Sequence, residues 1–290
     1  MLTISIADLS PAERQNYLQY AIAPRPICFA STVDKKGNVN LSPFSFFNLV
    51  SANPAVCVFS PARRVRDNTT KHTLQNILEI PECVINIVNY SMVQQTSLAS
   101  TDYSKGVNEF EKAGFTELKS ELVQPPRVKE SPVQMECKII DVISLGDKGG
   151  AGNIVLAEIL LIHINENVLD ENNKIDQVKM DHVARLGGDW YCRVTPESLF
   201  KVAKPLSTLG IGVDALPAII RNSKILTGND LGKLGNVEQI PEFDKNNIPE
   251  GIELKAIRDL QHEAKNLLDN DKINEAWQVL NYVINKSLLN

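Results

Sequence analysis

Gln134-Met135-Glu136-Cys137-Lys138-Ile139-Ile140-Asp141-Val142-Ile143-Ser144-Leu145 and Asn153-Ile154-Val155-Leu156-Ala157-Glu158-Ile159-Leu160-Leu161-Ile162-His163-Ile164 are separated by Gly146-Asp147-Lys148-Gly149-Gly150-Ala151-Gly152. Two apolar, β-branched runs around so glycine-rich a connector read as a pair of long strands with a flexible hairpin turn. The connector fits neither the phosphate-binding loop nor the dinucleotide fingerprint, so no phosphate role is expected of it.

Working outward, residues 26–33 read as a strand and residues 34–37 as a tight turn, with Gly37 supplying a positive φ. Residues 38–41 form the return strand. Pro43 is expected to interrupt pairing before the aromatic run Phe44-Ser45-Phe46-Phe47-Asn48-Leu49-Val50. Residues 55–59, 83–88 and a short run ending at Val194 read as further strands. Helices are few: 11–20, with Ser10 as cap and Pro11 in the first turn; one capped by Ser91 and running to about Ala99; and 108–113, ended by Gly114. This is not the strand–helix alternation of a doubly wound sheet, so the expected fold class is mainly β, a closed or partly closed antiparallel barrel.

One stretch between strands carries chemistry. Residues 60–78 place Arg63, Arg64, Arg66 and Lys71 among Ser60, Asn68, Thr69, Thr70 and Thr73, ahead of a helical pattern marked by Leu74, Ile77 and Leu78. With Asn68 or Thr69 as N-cap, the free first-turn N–H groups, the hydroxyls and the flexible cations would together form an anion site. An ordinary capped helix with solvated charges is the competing reading.

The totals narrow the function. The 290 residues, 43% hydrophobic and 22% charged with a net charge of −5, describe a globular chain without the basic surplus of nucleic-acid binders. No apolar run is long enough to span a bilayer and no leader is evident, so neither a membrane nor a nucleic-acid partner is expected, and a cytoplasmic location is. Five scattered cysteines fit reduced, buried thiols, and four isolated histidines suggest no metal.

Beyond residue 200 the pattern changes. Gly210-Ile211-Gly212-Val213-Asp214-Ala215 superficially fits G-x-G-x-x-A, but no convincing strand precedes it. A polar linker is read at 241–249, then a two-helix hairpin turned at Asp269-Asn270-Asp271. The chain therefore divides into residues 1–200 and a C-terminal extension, 201–290. So small a helical element is expected to lack a core of its own and to pack on the barrel or on a partner's barrel, either with its glycine-rich part bordering the ligand pocket or as a pure dimer brace.

Residues 24–194 resemble the flavin reductase-like family, the FMN-binding split barrels. The likeness rests on Pro24-Arg25-Pro26-Ile27, Ser31-Thr32-Val33-Asp34, Gly37-Asn38-Val39-Asn40 and Leu41-Ser42-Pro43-Phe44-Ser45-Phe46-Phe47-Asn48. It continues in Lys71-His72-Thr73-Leu74-Gln75-Asn76-Ile77 and Arg185-Leu186-Gly187-Gly188-Asp189-Trp190-Tyr191. The resemblance implies a six-stranded antiparallel split barrel, a homodimer and FMN near the subunit interface. It implies that Ser45, Phe46, Phe47 and Asn48 run along the flavin. It likewise implies Ser60, Arg64, Lys71 and Thr73 as phosphate and ribityl contacts. The implied activity is an oxidoreductase that moves hydride from NADH or NADPH through FMN to free flavin or a small-molecule acceptor. The donor would stack in the barrel mouth against Trp190 or Tyr191, and no catalytic side chain is named. An FMN electron carrier reduced by a protein partner and a non-redox FMN-binding module are the alternatives.

Overall fold

The computed structural model describes residues 1–244 and 251–288, so residues 245–249 of the expected linker lie outside it. The chain forms two compact units, Met1–Phe200 and Lys201–Asn290.

Unit 1 begins with helix α1 (Pro11–Ala21), which starts at a full capping box: Ser10 accepts from the N–H of Glu13, and Glu13 reaches back to the N–H of Ser10. The two-residue strand β1 (Arg25–Pro26) leads into β2 (Cys28–Val33), β3 (Val39–Phe44), β4 (Phe47–Ala52) and β5 (Ala55–Phe59). Helix α2 (His72–Glu79) and strand β6 (Glu82–Ile87) follow, then α3 (Val93–Ala99) and α4 (Glu109–Ala113). The short strands β7 (Glu117–Leu118) and β8 (Arg127–Val128) precede the long pair β9 (Val133–Ser144) and β10 (Asn153–Ile164). Last come β11 (Val183–Arg185) and β12 (Tyr191–Arg193), which pair with each other.

The main sheet is antiparallel and runs β3-β2-β6-β9-β10-β5-β4. It has seven strands rather than the six expected, because Phe47–Ala52 pairs with β5 as an extra edge strand. Pro43 does not end its strand either: it lies within β3 opposite Phe29. As β3 is the other edge of the sheet, a residue without an N–H is tolerated there. The sheet closes on itself, since the Phe44 ring from one edge meets the Phe59 ring from β5 with centroids 5.2 Å apart. Between them sits a core of Cys28, Ala30, Ile85, Cys137 and Val155, and on the other face of β2 Phe29 packs with Leu41, Met92 and Phe110. Burial on both faces explains why β2 has no polar alternation. Gly37 (φ 83°) and Gly114 (φ 71°) adopt the left-handed conformations their turns require. Ser91, however, does not cap α3; its hydroxyl donates to Asn89, and a single 3-10 turn precedes the helix.

Unit 2 contains α5 (Ala218–Arg221), α6 (Gly228–Gly235), α7 (Ile257–Asp269) and α8 (Ile273–Leu288). It builds its own core, contrary to expectation: Trp277, Leu260 and Ala264 of the hairpin pack with Ile220 of α5 and Leu234 of α6. The expectation failed because it counted only the hairpin, whereas the glycine-rich part also contributes buried apolar residues. Among the described residues no strand leads directly into the Gly210–Ala215 run, the nearest before it ending at Arg193, so the dinucleotide pattern is a packing feature. The Gly212 N–H donates to Gly235 at 3.0 Å, and a Cβ on Gly235 would stand 2.9 Å from the Gly212 backbone. No helix among the described residues is long and apolar enough to cross a membrane, and no cluster of three metal-ligating side chains is present among them.

Candidate functional site

The segment between β5 and α2 folds into a tight loop around two arginines. Arg63 donates its Nε to the side chain of Asn68 (2.7 Å) and its Nη2 to the Asn68 carbonyl. Arg64 donates Nη1 to the Thr70 carbonyl (2.7 Å) and to Thr69 Oγ1 (3.0 Å). The loop is tied to the connector of the long hairpin, with the Arg63 N–H on Ala151 O and the Gly150 N–H on Arg63 O. Gly149 is required there, because a Cβ would stand 2.9 Å from the Val65 carbonyl oxygen. The helix begins later than the sequence suggested. Its N-cap is Lys71, with no side-chain cap, while Asn68 takes a left-handed turn position (φ 57°) and spends its side chain on Arg63 and Asp147.

This loop forms one wall of a cavity of about 1000 Å³. Arg64, Arg66 and Lys71 line it with Phe46 and Asp102, and the connector from Gly146 to Ala151 closes one side. Leu18 and Ile22 of α1 face it from another side. Helix α1 has no buried residue of its own. It hangs from Arg25, whose Nη1 donates to the carbonyls of Gln19 and Ile22 (both 2.6 Å) and whose Nη2 donates to Leu186 O (2.7 Å). Tyr20 packs on Gly187, where a Cβ would collide with the ring.

The electrostatics are cationic with one bridging carboxylate. Asp102 accepts from Arg64 Nε at 2.9 Å, and also from Arg64 Nη2 and Arg66 Nη2. The hydrogen bond from Arg64 holds its carboxyl below the usual range. Burial, then the charge of Arg64, lowers Lys71, and the same two causes lower His72. A second, small polar pocket shares Arg64, Lys71 and Asp102 with the cavity and adds His72, Asn40 and Glu109. Burial raises the Glu109 carboxyl, which accepts the Leu41 N–H at 2.9 Å.

Of the residues expected at the site, Phe46, Arg64 and Lys71 come together. Phe47, the first residue of β4, packs on the barrel core, while Phe46, just before the strand and 45% exposed, lines the cavity. Ser45 is half-buried, and Asn48 bonds the N–H of Leu49. Ser60 lies beside Gly152, next to the connector. Thr73 is fully buried and accepts from Asn40 at 3.1 Å. Trp190 is 69% exposed in the turn between β11 and β12, its N–H on Gly187 O. The side chains of Ser45, Phe47, Asn48, Ser60, Thr73 and Trp190 do not line the cavity. Sequence reading passed over Asp102, Arg66 as a partner of Asp102, the connector and α1. Leu18 within α1 and Ile22 at its C-cap, four apart, were the signal available for α1.

An antiparallel sheet of this order, rolled so that edge strand β3 packs against β5, defines a split-barrel protein. The family model of the flavin reductase like domain matches residues 20–179, more than half of the sequence, and the chain belongs to the flavin reductase-like family. An uncharacterized protein of Aquifex aeolicus is 38% identical over 181 residues, covering 62% of this chain and 90% of its own. Among solved structures, nitrilotriacetate monooxygenase component B from Bacillus cereus superposes with a TM-score of 0.65 at 28% identity, over 70% of this chain and 98% of that one. The 2-nitrobenzoate 2-nitroreductase of Pseudomonas fluorescens gives 0.63 at 25% identity, over 73% and 100%.

Proposed function

We propose that this protein binds FMN in the cavity and acts as an oxidoreductase, passing hydride from NADH or NADPH through the flavin to free flavin or a small acceptor. One observation carries the reading: Arg64, Lys71 and the Phe46 ring share a single cavity of about 1000 Å³. That volume is at the upper end for ligand sites and leaves room for a second planar molecule beside a mononucleotide. Membership of the family supports flavin binding. The component B and nitroreductase neighbours, by their own names, support redox work.

The residues divide the labour by chemistry. Lys71 and Arg64 offer charge-assisted donors to a phosphate, and Phe46 offers an apolar ring face. The connector supplies backbone from a loop held against Arg63. Helix α1 lines one side of the cavity with Arg14, Gln15, Leu18 and Gln19. Bound FMN would supply hydride acceptance and delivery, while the protein orients and electronically tunes it. His163 does not line the cavity; its Nε2 pairs with buried Glu136 at 2.8 Å. No side chain is assigned as acid or base, and protons are exchanged with water.

Mixing the protein anaerobically with FMN and NADH or NADPH tests the proposal. Rapid loss of flavin absorbance is expected. Loss only with a reduced protein donor would replace the reading by an electron carrier, and none with either would make the protein a non-redox FMN binder. We also propose a homodimer, since Leu49 and Val50 of edge strand β4 are 62% and 55% exposed and twofold pairing is the common way to cover such a face.

A further inference from the structure

Arg64 has one donor edge built for a planar anion, and Asp102 occupies it. The Nη1 group of Arg64 is held by Thr69 and Thr70, which fixes the guanidinium and leaves Nε and Nη2 as its bidentate edge. Both nitrogens donate to Asp102 Oδ1, and Asp102 Oδ2 accepts from Arg66. Asp102 comes from the segment after α3, 38 positions away in the chain. The pair is partly buried, with 15% of the Arg64 side chain and 31% of the Asp102 side chain exposed, so water screens it only in part.

Resting on the proposed FMN site, we infer that Asp102 sets how tightly that site holds phosphate. The carboxylate and a phosphate monoester need the same Nε–Nη2 edge of Arg64, and their negative charges repel across Lys71. FMN therefore binds more weakly, and leaves faster, than the three cations alone would dictate. The site is thereby suited to exchanging its flavin rather than keeping it as a fixed group. Riboflavin, which has no phosphate, is indifferent to Asp102.

Fluorescence titration and stopped-flow release of FMN and riboflavin from wild type, Asp102→Asn and Asp102→Ser provide the test. Both variants are expected to bind FMN roughly tenfold more tightly, the scale of one charge repulsion at a partly exposed site. FMN release should slow in proportion, with riboflavin affinity unaltered. Inorganic phosphate should also compete with FMN more strongly in the variants. The inference is overturned if FMN binding is unchanged or weaker, which would make Asp102 an organiser of the arginines, or if riboflavin tightens equally. Unchanged riboflavin affinity reports a folded cavity in each variant. Should wild type fail to prefer FMN over riboflavin, and Lys71→Ala be silent, the phosphate site itself is wrong. If that preference stands and the Asp102 variants do not tighten, only the inference about Asp102 fails.

Discussion

Lys71, like Arg64 and Asp102, lines both the cavity and the small polar pocket, and burial lowers its pKa. A charge-assisted hydrogen bond contributes about 1.5–3 kcal/mol. Lys71→Ala is therefore expected to weaken FMN at least several-fold while leaving riboflavin nearly unaffected, as a paired fluorescence titration would reveal; equal loss for both ligands contradicts the assignment. That Arg64 and Lys71 would stand at the cavity was legible from the cluster of cations between a strand and a helix. Orientation was not. Thr73 is polar and well placed in sequence, yet the helix turns it onto Asn40. Asp102 gave no warning at all, because the contact that matters spans 38 positions and crosses from one loop to another.

Elements differ in what anchors them, and this decides how a substitution is felt. The capping box of α1 contributes about 1 kcal/mol, so Ser10→Ala should loosen that helix. Because α1 buries nothing, the change belongs in local amide exchange across residues 11–21 and not in the global melting curve. Strand β9 is the opposite case. Its Glu136 is buried and accepts the N–H groups of Glu121 and Leu122 and the ring of His163. Burial pushes that carboxyl up, but the donors outweigh it and the folded-state pKa is lowered. Its stabilisation is thus complete above the unfolded-state carboxylate pKa and is lost as pH falls through the lower folded value. Glu136→Gln should cost roughly 1–3 kcal/mol at neutral pH. It should also flatten the acid limb, which urea titrations at neutral and acid pH will show. Turns and helix ends were legible where one residue type dominates, as at Gly37, Ser10 and Gly114. Pro43 misled because its meaning depends on whether a strand lies at an edge, and strand order is not written in local sequence.

Two cores make two stabilities. Trp277 is fully buried at the centre of unit 2, and Trp277→Ala should cost about 3–5 kcal/mol there. The expected result is loss of helical circular dichroism from unit 2 with FMN binding retained; loss of FMN binding as well would tie the extension to the site. At the exposed edge, Leu49→Lys should shift a dimer toward monomer in light scattering, and a monomeric wild type would end the dimer proposal. The barrel was legible as a class because alternating and doubly buried strands leave distinct patterns. The core of unit 2 was not, because Ile220 and Leu234 lie on helices of only four and eight residues, and Leu216 and Leu226 on the loops beside them, too short for a periodic pattern to stand out.

The attachment of α1 has an evolutionary consequence. Arg25 grips it through backbone carbonyls, which every residue type possesses, and only Tyr20 is fitted to a neighbour by shape. Most positions along that helix can therefore mutate without disturbing the barrel, although they face the chamber where acceptors would enter. On the proposed function, drift in α1 would diversify the acceptors taken while the residues of the cationic loop stay fixed.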